Sequence, residues 1–433
     1  MKTVSETIGN EAKSASNSVE YYPIVIIGAG AAGLFLAARL LTMSAVLILE
    51  KRAEAGRKLL LTGGSRCNLT HLDEVSELLN HYRPDARFLT GPLKRFGPTV
   101  MRNYFHDIGV ATRVEANNRV FPSSNRASDV RDALVETIRR KKYEIRYNTS
   151  LIALRSLPSD SAKTVRWQLQ LDNGALIEAD HVILAGGGAS YPGTGSDGKL
   201  LDTVAATGIP TTAFKAALTD LNWGKSEAVE DFVELSGISV QAAVLQINKK
   251  KGRQSFGDIL FTHKGLSGPA ALNLSSDLDE EGSELKLQLF PSLNAEDIYQ
   301  MLLDQKEHNA RLDLPGLLSL WMPKKLSRCI VQRYFPTMSH LKLADLSLKQ
   351  WRQLAEQLNG LILPPLHKGR LVSGMVSAGG ISCKAIHPTT MELKDFPGLY
   401  ACGEIIDING DTGGYNLQAA FSTASAIAEH LSI

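Results

Sequence analysis

The first strongly patterned stretch of the chain is Pro23 to Lys51, PIVIIGAGAAGLFLAARLLTMSAVLILEK. Ile24 to Ile27 is an apolar, β-branched run without polar interruption, the pattern of a strand buried on both faces in a parallel sheet. Glycines end it, an apolar helical stretch follows, and Val46 to Leu49 forms a second apolar strand that stops at Glu50. The pattern predicts strand, tight turn, helix, strand. Taken instead as one apolar helix, Ile24 to Leu41 would approach the length of a membrane span, but three glycines and Arg39 interrupt it.

Further along, Phe96 to Gly109 predicts a helix with a glycine cap, and Arg119 to Ser124 leads into a helix over Ala127 to Lys142. A short strand at Glu144 to Tyr147 precedes three more, at Leu151 to Leu157, Thr164 to Leu171 and Ala175 to Glu178. The last two are joined by Asp172-Asn173-Gly174, a strong hairpin signal. His181 to Ala185 is another buried strand and runs into Gly186-Gly187-Gly188. A βαβ unit, a meander and a return strand ending in glycines is the layout of a flavin-type dinucleotide domain. From Gly208 to Phe290 strands no longer alternate with helices, which predicts an antiparallel sheet or small barrel. Asn294 to Gly360 has helical periodicity and predicts an all-α insertion. Strands return after Gly369, Leu399 to Cys402 is buried, and Gly413-Gly414 opens a helix over Tyr415 to His430.

The candidate chemistry lies in the glycines. Gly28, Gly30 and Gly33 have G-x-G-x-x-G spacing between a strand and a helix, where backbone amides and the helix dipole receive a pyrophosphate. Glu50 ends the second strand 20 positions beyond Gly30, where a carboxylate accepts from a ribose hydroxyl. Lys51, Arg52, Arg57, Lys58 and Arg66 follow among glycines, a composition suited to further phosphate or ring contacts. A second formal fingerprint, Gly193, Gly195 and Gly198, lacks the adjoining strand and the later acid, so it reads as a loop and not as a separate nicotinamide site. The Gly413-Gly414 helix could point its first amides at the edge of a flavin that gains negative charge on reduction.

Composition narrows the class. At 433 residues the chain should hold two or three domains, and 44% apolar and 21% charged residues are ordinary for a globular protein. A net charge of +2 makes no electrostatic case for nucleic acid, although Arg139 to Lys142 and Lys249 to Lys251 are basic runs. The cysteines Cys67, Cys329, Cys383 and Cys402 form no C-x-x-C pair, which argues against a zinc site, a redox pair or a disulfide framework. Residues 1–20 are polar and predict a disordered tail without a signal peptide, hence a cytoplasmic protein with no membrane association.

Taken together, GAGAAG with Glu50, GRKLLLTGGSRCNLT from Gly56, RVFPSS from Arg119, FTHKGLSGP from Phe261, VSAGGIS from Val376, HPTTMELK from His387 and GLYACGEIIDINGDTGGYNLQAAF from Gly398 resemble the YhiN-like or BaiN-like bacterial flavoproteins, often grouped as aminoacetone-oxidase-like enzymes. The resemblance implies an α/β fold: a discontinuous, glutathione-reductase-like Rossmann domain for FAD (21–200 and 370–433), a β-barrel insertion (201–293 and 361–369) and a helical subdomain (294–360). It also implies cofactor contacts. Gly28, Gly30, Ala31, Ala32 and Gly33 would hold the pyrophosphate, Glu50 and Lys51 the adenosine ribose, and Leu151, Ala185 and Gly186 the adenine side. Gly403 and Glu404 would meet the ribityl and phosphate region. Lys58, Ser65, Arg66, Cys67 and Asn68, with Gly414, Tyr415, Asn416 and Leu417, would approach the flavin.

The implied activity is FAD-dependent hydride transfer at flavin N5 with a small organic substrate, either a small amine such as an aminoketone or an activated double bond. Oxygen or NAD(P)H is the other redox partner to consider. An NAD(P)H-dependent flavoprotein reductase and an FAD-containing RNA-recognition protein are the alternatives. No motif identifies a proton donor; His263, Lys264 and His387 qualify only by lying in motif segments.

Overall fold

The structure, a computed structural model, describes residues 19–157, 166–224, 229–279 and 281–432. Its organising layer is a seven-stranded sheet. Strand β1 (Glu20–Ile27) lies at its centre, parallel to β2 (Val46–Leu49) on one side and to the strand Leu176–Leu184 on the other. Glu144–Arg146 extends the sheet beyond β2, and Leu399–Ala401 pairs in parallel with Leu176–Leu184. Arg166–Leu171 and Leu151–Leu157 add an antiparallel meander. Val25, Ile26, Leu47, Ile48, Val182 and Ile183 have no exposed surface, as strands covered on both faces require.

Helix α1 (Ala31–Arg39) and the C-terminal helix Tyr415–Leu431 pack together against this sheet. Alanines on both keep the backbones close, and Phe35 meets Phe421 with ring centroids 4.7 Å apart. Two expectations change here. The segments Ala175 to Glu178 and His181 to Ala185 are one strand, because Ile177 to Leu184 pairs along β1 while the first half of the strand also pairs with the meander. The polar Glu178 and Asp180 interrupt the apolar run without interrupting the strand, and Asp180 accepts a hydrogen bond from Tyr21 of β1. At the other end of the chain, residues 1–18 of the expected tail lie outside the described residues, and Glu20 already belongs to β1.

A second seven-stranded sheet is antiparallel; its strands span Leu221 to Lys368, with Ser239–Ile247 and Gln254–Thr262 the longest. Its last strand, Leu366–Lys368, is bridged through Leu366 to Ser283, beside the strand Leu285–Gln288, which curls the sheet toward closure. Helices Ala295–Asn309, Leu314–Leu318, Lys324–Tyr334 and Leu348–Leu358 pack on it and share its core, with Trp351 fully buried. The chain returns through Val376–Ile381, antiparallel to Thr211–Ala217.

Candidate functional site

The turn after β1 is shaped by backbone contacts. A β-carbon on Gly28 would lie 2.7 Å from the Ala185 carbonyl oxygen, and one on Gly33 would lie 1.9 Å from that of Gly28. Gly30 differs: a β-carbon there would meet nothing within 4 Å, because its open side faces a cavity. The first amides of α1 look into the same space without intrahelical partners. At the end of β2, Glu50 is buried and accepts from the Ala29 N–H (2.9 Å) and the Arg52 N–H (2.8 Å). Burial pushes its carboxyl above the ordinary carboxylate range, and the two amides offset that only in part.

The cavity has a volume of about 600 Å³ and runs the length of this crossover. Its near end is lined by Glu50, Lys51, Thr149 and Leu151, and its middle by Gly30, Ala31, Ala32, Ala185 and Gly186. Lys58, Thr62, Met375, Gly403, Glu404, Ile408, Asn416 and Leu417 line the rest. Within that wall Lys58 Nζ donates to Ser190 Oγ (2.6 Å) and Glu404 Oε2 (2.7 Å), while Glu404 Oε1 accepts from the Ser377 N–H (2.8 Å). Four distant chain segments therefore meet at one carboxylate. Asn416 closes the turn before its helix by bonding both the N–H and the carbonyl of Gly410, each at 2.8 Å.

Of the residues expected to touch a cofactor, Gly33, Ser65, Arg66, Cys67, Asn68, Gly414 and Tyr415 do not line the cavity. Gly33 serves packing. Arg66 turns away onto the Phe121 ring, 4.1 Å from its centroid, and pairs with Glu115 at 3.0 Å. Cys67 is fully buried, and burial pushes its thiol up to about 12 against a weaker lowering contact from Thr62, so it stays protonated. Ser65 is exposed, and the Asn68 side-chain oxygen is buried without a hydrogen-bond partner. The Gly414 backbone is covered by Thr70. Tyr415 lies between His81 and His71, ring centroids 4.2 and 5.2 Å away, and its hydroxyl donates to Asp73 at 3.2 Å. His263, Lys264 and His387 are also absent from the cavity wall.

Sequence reasoning missed several neighbours. Ser190 and Ser377 carry no motif that ties them to Lys58. The loop Tyr191 to Gly198, the second formal fingerprint, borders the same cavity through Thr194, Gly195, Ser196, Asp197 and Gly198. Between the two sheets, Asp411 accepts from Arg83 (3.0 Å) and Arg253 (2.8 Å) and lies 3.0 Å from His81 Nδ1. Among the described residues no three His, Cys, Asp or Glu side chains are grouped to hold a metal, and no helix is long and apolar enough to cross a membrane.

These residues fit an extended dinucleotide: an uncovered glycine beside free helix amides, and a buried carboxylate at the end of the neighbouring strand. The chain is similar, at 28% identity over 95% of its length and 98% of the relative's, to a ribosomal RNA dihydrouridine synthase of Escherichia coli. It is similar, at 29% identity over 92% of its length and 96% of the relative's, to a 3-dehydro-bile acid delta(4,6)-reductase of Clostridium scindens. Its fold is shared by 3-ketosteroid delta1-dehydrogenase from Sterolibacterium denitrificans, with a TM-score of 0.51 at 13% identity, covering 95% of this chain and 99% of that one. The chain is a flavin-binding oxidoreductase with a Rossmann-type fold. The model of the HI0933-like protein Rossmann domain matches residues 22–430, and the chain belongs to that family.

Proposed function

We propose that the cavity holds FAD, with its adenosine at the Glu50 end and its flavin toward Asn416 and Leu417, and that the protein reduces a carbon–carbon double bond conjugated to a carbonyl. The observation that carries the FAD reading is the continuity of the cavity from Glu50 past the open side of Gly30 to the first turn of the C-terminal helix. FMN has no half that could use Glu50. When bound, the flavin supplies a hydride donor and acceptor at N5.

The chain's own residues bind and orient. Amides of α1 take the phosphates, Glu50 takes the ribose hydroxyls, and Gly403 and Glu404 border the ribityl region. The first amides of the helix Tyr415–Leu431 are free to donate toward the flavin edge where charge develops. The Lys58–Glu404 pair holds the wall between these two stations.

The names of the relatives support the substrate class. Dihydrouridine formation and reduction at the 4,6 positions of a 3-dehydro-bile acid both saturate a carbon–carbon bond conjugated to a carbonyl. The test is anaerobic. The flavin is reduced with NADH or NADPH and offered a cyclic enone, a 4-en-3-one steroid or a uridine-containing ribosomal RNA fragment, and in a separate arm the oxidised flavin is offered aminoacetone. Reoxidation by an enone or by the RNA is expected. Turnover with aminoacetone alone would overturn the double-bond reading and leave the FAD reading standing.

A further inference from the structure

The loop Tyr191 to Gly198 has fingerprint spacing but no nucleotide site of its own; its glycines and Asp197 border the cavity already described. It is fastened by the residues that follow Glu50. Lys51 Nζ lies 2.5 Å from Asp197 Oδ1, with both side chains partly buried. The Arg52 guanidinium donates to the Pro192 carbonyl at 2.9 Å. Gly195 rests on both: a β-carbon there would lie 3.2 Å from Arg52 Cγ and 3.4 Å from Lys51 Cε. On the other side the loop is fixed to the glycines after the strand Leu176–Leu184, since Ser196 Oγ donates to the Gly188 carbonyl at 2.9 Å and the Gly198 N–H to the same oxygen at 3.1 Å. Asp197 also accepts from the Lys199 N–H at 3.2 Å.

We infer that this loop is a strap over the adenosine half of the cofactor, and that Lys51 and Asp197 are positioning residues that set preference for the adenosine-bearing flavin. The inference rests on the FAD reading above. Lys51 and Arg52 stand where basic side chains could meet a phosphate on a ribose, but their charged ends are engaged with the loop. Because Lys51 adjoins Glu50, the strap crosses the Glu50 end of the cavity and leaves the Asn416 end untouched. Opening it removes a wall from the adenosine half alone.

The experiment is calorimetric titration of deflavinated protein with FAD, FMN and ADP. For Asp197→Ala, the Kd for FAD and for ADP is expected to rise about fivefold, the size of one partly buried ion pair, with that for FMN unchanged. Lys51→Gln should behave alike and serves if Asp197→Ala does not fold. The exchange Lys51→Asp with Asp197→Lys should recover part of the loss. Equal weakening of all three ligands, or unchanged Kd for FAD and ADP, would overturn the strap. Wild-type protein that takes up neither FAD nor ADP would overturn the FAD reading and this inference with it.

Discussion

Gly33 sits so close to Gly28 that a single added methyl group would lie 1.9 Å from the Gly28 carbonyl oxygen. Helix and strand are joined there at the minimum separation two backbones allow. Gly33→Ala is therefore expected to cost about 3 kcal/mol, the upper range for overpacking against atoms that cannot move aside. Gly30→Ala, three positions earlier, should leave stability within about 0.5 kcal/mol but raise the Kd for FAD at least about tenfold, because its methyl group enters the phosphate space. Thermal unfolding of the two apoproteins, with FAD titrations alongside, separates the roles. Similar unfolding temperatures for both would refute the distinction.

Gly414 has φ +103, and a β-carbon on it would lie 2.7 to 2.8 Å from the backbone of Thr70. Thr70 is itself held to the C-terminal helix, its hydroxyl donating to Gln418 Oε1 at 2.5 Å. Gly414→Val is expected to push the Thr70 strand off the helix and to lower flavin occupancy or the flavin potential. The collision is with protein, so the apoprotein should also lose stability, by about 2 kcal/mol or more. A redox titration and a melting curve of the variant test this. Full occupancy with unchanged potential would mean that this helix end does not address the flavin.

Glu50 gives a pH dependence whose sign can be worked out. Its folded carboxyl binds a proton more tightly than an unfolded one, so in the apoprotein its contribution to stability falls as pH rises from the unfolded value through the raised folded one. A ribose hydroxyl donating to it favours the ionised form. FAD uptake should therefore release a proton at mildly acidic pH, and the Kd for FAD should fall as pH rises through the Glu50 titration. Calorimetry in buffers of different ionisation enthalpy measures the proton. Glu50→Gln should abolish both effects; persistence of the pH dependence in that variant would assign it elsewhere.

Gly195→Ala tests whether the second glycine motif is a nucleotide site. The residue has φ +107 and lies against Lys51 and Arg52, so alanine should cost about 1 to 2 kcal/mol of backbone strain. FAD retention is expected to weaken, while the KM for NADH or NADPH stays within about tenfold. A larger rise in that KM with FAD still bound would establish a nicotinamide site at the loop.

The crossover was legible because its determinants are local: Ile24 to Leu49 carries the strand pattern, the turn glycines and the terminal acid within one short stretch. The second sheet was legible only as a class, since its register depends on pairings such as Leu245 with Leu287 that no turn signal fixes. The strand Leu176–Leu184 reads as two segments in sequence because polar residues interrupt the apolar run, and the partners of Asp180, Tyr21 and Arg166, come from other strands. At the site, Lys58 and Glu404 lie 346 positions apart, and neither reveals the other in sequence. Arg66 and Cys67 show the converse: they sit in a distinctive motif, yet one packs on Phe121 and the other is sealed in the core.

Asp411 stands in the short turn that leads to Gly413 and Gly414, and its carboxylate is held by Arg83 from one side and by Arg253 of the second sheet from the other. The neighbouring Thr412 N–H donates to Asn273, also on the second-sheet side, at 2.8 Å. A rocking of that sheet cannot be absorbed by slack chain, because the turn has none to give. It must either break these bonds or drag the glycine pair with it, so that, with the flavin placed as proposed, its colour would serve as a gauge of how the two halves of the molecule are seated.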